Sequence, residues 1–298
     1  MKQASLLVIG QLHMELSIDR TRRRGDEEQL VWHDGGQGGH LAVAAARLGA
    51  LVSLLASAGL HDDESDLLHM LASDGVRVDC VARRSPETFR RHLRAERHGD
   101  DQPIALYAPP HSTLCAADLD AAEALFLDHE WLLVDATLPE DVLEEATERA
   151  ALYGMPAVLS LPHPSPERIP RRVWKRVSYL ATNQSSLEAL ARVSQWPRGM
   201  LDDGSAMCGD LGIQGMLVVR GTRDMVVADR HHCRVLPLAP RTVIDARGVC
   251  AMTGAALAVG LAEGLPFYDA ALLAQKSAQF YLSHEGARAA MPFRLELH

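Results

Sequence analysis

The chain has 298 residues, 47% of them apolar, and a formal net charge of −9. That is ample for a sizeable core, and the acidic balance excludes a whole-chain electrostatic footprint for nucleic acid or an anionic membrane surface. The five cysteines, Cys80, Cys115, Cys208, Cys233 and Cys250, are scattered and lack Cys-x-x-Cys spacing, so they suggest neither zinc nor dithiol chemistry and fit a reducing cytoplasm.

In chain order, an apolar strand is predicted near residues 6–9, too short for a signal core and followed by no cleavage pattern. A helix is expected near 40–48, a strand near 52–56 and a helix near 64–74. The rhythm returns with strand 131–136, helix 139–153, and strands 157–161 and 177–181. Parallel strands need helical crossovers, so repeated βα units predict a parallel sheet covered on both faces.

Two stretches break the rhythm, 15–34 and 88–107, and read as hairpin strands that form a small separate sheet. The first holds Arg20, Arg22, Arg23 and Arg24, but Asp26, Glu27 and Glu28 follow at once, which favours a solvated charged turn over a polyanion site. Residues 195–212 read as a loop, with Trp196-Pro197 and several glycines and aspartates. The longest apolar stretch, 255–273, is broken by Glu263, Gly264, Pro266 and Asp269, which argues against a membrane span. No linker divides the chain, so one domain over 1–298 is expected.

The first segment with chemical content is Gly35-Gly36-Gln37-Gly38-Gly39-His40, running into an alanine-rich helix that ends Ala45-Ala46-Arg47-Leu48-Gly49. Glycines allow close backbone approach to a ligand, and a helix start offers free N–H groups. Taken alone, a tight turn explains the glycines equally well. Upstream lies Gly10-Gln11-Leu12-His13-Met14-Glu15 at the end of the first strand. The second segment is Asp245-Ala246-Arg247-Gly248-Val249-Cys250-Ala251, continuing into Met252-Thr253-Gly254-Ala255-Ala256-Leu257 and closing at Glu263-Gly264.

Together these segments resemble the two signatures of the ribokinase-like (PfkB) family of sugar and nucleoside kinases. The resemblance implies an α/β three-layer αβα sandwich, mainly parallel, with a β-sheet lid from the two early insertions. It also implies ATP and Mg2+ as cofactors, a small hydroxylated ligand, and a homodimer paired through the lids. By matching position, substrate contacts fall on His13, Glu15, Gly35, Gly36, Gly38, Gly39 and His40. His13 and Glu15 stand where the family has an Asn-x-Asp pair, and His40 replaces an asparagine. All three keep hydrogen-bonding capacity but alter its length and charge. Both histidines also admit a purely structural reading.

The register of the second signature is fixed at both ends, and it places Ala251 where the family's catalytic aspartate belongs. The anion hole would be Gly248, Val249 and Cys250, with a Cβ where the family has its last glycine. Nucleotide contacts fall on Asn183, Arg220, Gly221, Asp224 and Asp245. Asn183 survives from an Asn-x-x-Glu magnesium motif, but Ser186 replaces the glutamate; Glu188 two residues on could compensate or be an ordinary helix glutamate. Asp224 adds negative charge near a triphosphate unless it is turned away or paired with Arg223. Weaker matches at Asp74-Gly75-Val76, Leu161-Pro162-His163-Pro164 and residues 285–292 support the same register.

His231-His232-Cys233 looks like a metal cluster, yet neighbours on a strand point to opposite faces. Cys250 at a helix start could be a reactive thiol or a small buried hydrophobe. The expectation is a family member with impaired catalysis that keeps a small-molecule pocket. Two alternatives stay open: an active ATP-dependent kinase whose base role has moved to Glu15, substrate or water, and an assembly protein that uses the fold as a scaffold.

Overall fold

The computed structural model describes residues 2–24, 27–60, 62–84, 91–97, 100–104, 113–162, 166–197, 199–200, 203–239, 242–246 and 248–297, with side chains described outside 14–34, 62–64, 91–104 and 168. A nine-stranded sheet forms the body. Its strands are β1 Ser5–Ile9, β4 Leu51–Leu55, β6 Val76–Arg77, β10 Trp131–Asp135, β11 Ala157–Leu161, β12 Tyr179–Asn183, β13 Gly215–Arg220, β14 Asp224–Asp229 and β15 Cys233–Pro237. The spatial order is β15-β14-β13-β12-β11-β10-β1-β4-β6. All neighbours are parallel except for the β13-β14-β15 meander at one edge.

A second sheet of order β3-β2-β8-β9 is built from β2 His13–Arg24, β3 Glu27–Gly35, β8 Arg91–Arg97 and β9 Asp100–Ile104. It is the small sheet expected from the two insertions, joined by parallel pairing of β2 with β8. Residues 88–90, 98–99 and 105–107 of the second insertion lie outside the described residues, as do the side chains of the Arg20, Arg22, Arg23 and Arg24 run. The two-residue strands β5 Ser57–Ala58 and β7 Ala82–Arg83 pair separately.

The helices are α1 Gln37–Arg47, α2 Asp62–Ser73, α3 Ala116–Ala121, α4 Glu123–Asp128, α5 Glu140–Leu152, α6 Arg171–Trp174, α7 Gln184–Val193, α8 Gly204–Leu211, α9 Val249–Ala262 and α10 Phe267–Leu282. They lie on both faces of the large sheet. Strand β1 shows why: Leu6 and Val8 belong to the core under α1, α9 and α10, while Leu7 and Ile9 belong to the opposite core under α5, α7 and α8. Alternate side chains of a strand point to opposite faces, so a strand covered on both sides reads as an unbroken apolar run.

Two readings from sequence are corrected. The glycine run does not wholly precede the first helix: Gly35 ends β3 and Gly36 caps α1, but Gly38 and Gly39 lie in its first turn, because α1 begins at Gln37. Residues 195–212 are not all loop. Asp203 caps α8, its carboxylate accepting from the N–H groups of Ser205 and Ala206, and Met207, Cys208 and Leu211 are buried. A helix containing Gly204 and Gly209 has low intrinsic propensity, so cap and burial create it against the composition.

Candidate functional site

From β1 the chain turns to β4 on one side, while β10 pairs on the other, so the strand order reverses between β1 and β10. In open parallel sheets, ligands bind at the carboxyl ends of strands at such a switch point. At that edge lie the β1–β2 connection, the first turns of α1 and α9, and the ends of β10, β11 and β12.

The first glycine segment is shaped by contact with the end of β1. Gly36 sits at φ +91°, and a Cβ there would meet the Gln11 carbonyl oxygen at 2.4 Å. A Cβ on Gly38 would lie 2.6 Å from the Gly10 carbonyl carbon. The Gly38 N–H donates to the Gln11 carbonyl at 2.9 Å. His13 opens β2 directly opposite Gly35, the last residue of β3, and is buried. His40 lies half-buried in the first half of α1. The sequence-derived residues His13, Gly35, Gly36, Gly38, Gly39 and His40 are thus gathered where the small sheet joins the body. Glu15 follows on β2, and its side chain lies outside those described.

Sequence reasoning missed the polar groups that tie this corner together. Asp135, which ends β10 fully buried, accepts from the Thr137 N–H and hydroxyl, both at 2.8 Å, and from the Gln11 N–H at 3.1 Å. Burial pushes its carboxyl above the usual range, while those donors hold it down. Gln37 donates its side-chain amide to the buried Ser160 hydroxyl at 2.9 Å. The available signal was an acid closing the apolar run Leu132-Leu133-Val134, and nothing in the sequence named its partners.

The second segment occupies the start of α9. Gly248 takes a left-handed conformation, φ 87°, as its N-cap, and Ala251 in the first turn is fully buried. Cys250 is half-buried; burial pushes its thiol up to about 11, against a hydrogen bond with the Asn183 side chain that pulls it down. Of the two readings of Cys250, burial favours the protonated, unreactive thiol. Alkylation by iodoacetamide at pH 8 checks this: a thiol of pKa about 11 is ionised only about one part in a thousand. Exposed Cys115 and Cys233 should label at least about tenfold faster than Cys250 and the buried Cys208, read by peptide mass spectrometry.

Asn183 is occupied as the α7 cap. Its side-chain oxygen accepts from the Ser186 N–H and the Ser185 hydroxyl, both at 2.8 Å, and its amide donates to the Pro162 carbonyl at 2.7 Å. Ser186, at the expected glutamate position, is buried, and among the described residues its hydroxyl has no partner. Glu188 lies roughly 200° further round the helix and accepts from Gln184 at 2.8 Å. Among the described residues no three His, Cys, Asp or Glu side chains converge to hold a metal. The glutamate expected to organise Mg2+ is thus a serine here, and a nucleotide-bound Mg2+ would rest mainly on phosphate oxygens and water.

At the end of β13, Arg220 pairs with Asp224 at 2.5 Å, so Asp224 is neutralised by Arg220 rather than by Arg223. Gly221 between them is exposed in the turn. This pairing removes the repulsion that an isolated Asp224 would present to a polyphosphate. Asp245 is buried and accepts from the Gly286 N–H at 3.3 Å, which ties the approach to α9 to the segment after α10. His231 and His232 lie in the β14–β15 turn rather than on a strand, and the Asp229 carboxylate accepts from both their N–H groups at 2.7 Å. Among the described residues no helix is long and apolar enough to cross a membrane.

The class defined by this architecture is a mainly parallel α/β sandwich with a small second sheet rooted at the switch point, the ribokinase-like fold. The model of the pfkB family of carbohydrate kinases matches residues 3–294, and the chain belongs to that family. It is 25% identical to the ribokinase of Bacillus subtilis, over 98% of each chain, and 22% identical to that of Haemophilus influenzae, over 91% and 88%. Among solved structures, the ribokinase of Thermotoga maritima superposes with a TM-score of 0.80 at 17% identity, covering 99% and 98%. That of Arabidopsis thaliana, complexed with ribose and ATP, gives 0.79 at 18% over the same shares.

Proposed function

We propose that this PfkB-family protein keeps a pocket for a small hydroxylated ligand, of the sugar or nucleoside kind, and is impaired in phosphoryl transfer. The observation that carries this reading is the first turn of α9. By the register of the motif, Ala251 falls at the family's base position; it is buried, and the neighbouring Cys250 side chain is engaged with Asn183. A methyl group cannot accept the proton of an attacking hydroxyl, and a positioned base is worth about 10²–10⁴ in rate. Ser186 at the magnesium-organising glutamate position compounds the loss, because charge neutralisation carries much of phosphoryl-transfer catalysis.

The competing reading, an active ATP-dependent kinase, is favoured by the end-to-end match to ribokinases. Mg-ATP, ADP and a panel beginning with D-ribose, assayed by thermal shift and by phosphate transfer, separate the two. We expect one sugar or nucleoside to raise the melting temperature of the natural chain, with transfer low. Ala251→Asp, alone or with Cys250→Gly, should raise transfer by about 10²-fold or more. Turnover by the natural chain in the roughly 1–100 s⁻¹ range of family-type kinases would overturn the impairment. The same reading places the protein in the cytoplasm as a dimer paired through the small sheets, which sedimentation checks.

A further inference from the structure

Strands β2 and β3 of the small sheet join the body through two short connections, residues 10–12 before β2 and residue 36 between β3 and α1. Both converge on one residue. The Gln11 carbonyl accepts from the Gly38 N–H at 2.9 Å, its side-chain amide donates to the Thr137 carbonyl at 2.5 Å, and its own N–H donates to Asp135 at 3.1 Å. Gly36 lies against the Gln11 carbonyl with no room for a Cβ. Asp135 thus holds, from the buried end of a central strand, the residue on which both roots of the β2–β3 hairpin rest.

We infer that Asp135 is a positioning residue that fixes the root of the small sheet and so sets where His13 and the glycine turn stand over the cleft. Its carboxylate suits the task because two backbone donors, from Thr137 and Gln11, address different oxygens. An asparagine offers one acceptor oxygen and one NH2, so it satisfies only one of them. The Thr137 hydroxyl can turn to accept instead, whereas the backbone N–H groups cannot. The consequence for a ligand rests on the pocket proposed above; the rigidity of the root does not.

Asp135→Asn tests this by hydrogen–deuterium exchange on the full chain. Amides in residues 10–13 and 35–38 should exchange at least tenfold faster. Those of β10, β11 and β12 should be unchanged, since the same substitution removes a buried charge and leaves the body packed. Uniform acceleration through the central strands would make Asp135 an ordinary core group and overturn the assignment, as would unchanged exchange at the root. If Asp135→Asn fails to fold, Gln11→Ala, which removes the contact to Thr137, should show a smaller rise confined to the same peptides. A D-ribose titration adds the second readout. Where the natural chain binds ribose, Asp135→Asn should weaken it about tenfold, with the melting temperature lowered by about 5 °C for the unsatisfied backbone donor; where it does not bind, exchange alone decides the root.

Discussion

Gly36→Ala is expected to lower the melting temperature by about 12 °C, roughly twice the fall expected for Gly49→Ala. Both glycines have positive φ, +91° and +96°, so both substitutions store backbone strain of about 1–3 kcal/mol. The surroundings differ. A Cβ on Gly49 meets nothing within 4 Å, while one on Gly36 meets the Gln11 oxygen at 2.4 Å and the Leu12 Cα at 2.8 Å. Backbone atoms cannot swing aside as a flexible side chain can, so the whole β1–β2 connection must shift, adding a further cost of about 1–3 kcal/mol. At about 2–4 °C per kcal/mol for chains of this order of size, the two variants separate clearly by calorimetry. The damage falls on the connection that carries His13, so any ligand-induced stabilisation should disappear in Gly36→Ala and persist in Gly49→Ala. Equal melting shifts for the two would mean that the close approach at Gly36 is relieved at little cost.

That contrast marks what the sequence could and could not tell. The parallel sheet was legible because buried strands such as Leu6-Leu7-Val8-Ile9 and Ala157-Val158-Leu159 are continuous apolar runs between amphipathic helices. The two insertions were legible because their alternation departs from that pattern. Helix α8 was not, since its stability comes from the Asp203 cap and three buried side chains rather than from propensity. At the site, the glycines and Ala251 could be found by position along two motifs. The partners of Asp135 could not, because Gln11 lies 124 residues away in sequence and is brought near only by the pairing of β1 with β10. Pairing of Asp224 with Arg220 rather than Arg223 depends likewise on the antiparallel register that sets residues 220 and 224 opposite each other.

The largest effect outside the cleft is expected from Asp74→Asn. The carboxylate of Asp74, 7% exposed, holds two guanidinium groups: Arg47 at 2.7 Å and Arg288, also at 2.7 Å. Arg47 donates as well to the carbonyls of Arg288 and Met291, both at 2.8 Å, and stacks over the Phe293 ring at 4.9 Å. Three segments that matched the family pattern without any assigned chemistry, the end of α1, Asp74-Gly75-Val76 and residues 285–292, therefore meet in one ionic cluster. An asparagine keeps the shape but removes the charge, leaving Arg47, 10% exposed, short of a counter-ion. Removing one partner of a buried pair costs about 3–5 kcal/mol, most of it the penalty of the charge left behind. The melting temperature should fall by about 10 °C. Arg47→Met should cost less when made in the Asp74→Asn background than in the natural chain, because it then removes the stranded charge. Strictly additive losses in that cycle would show that the pair is not coupled. Because Arg47 closes the same helix whose first turn packs on Gln11, the variant also asks whether the cleft depends on the far end of α1; ligand response retained at a lowered melting temperature would show that it does not.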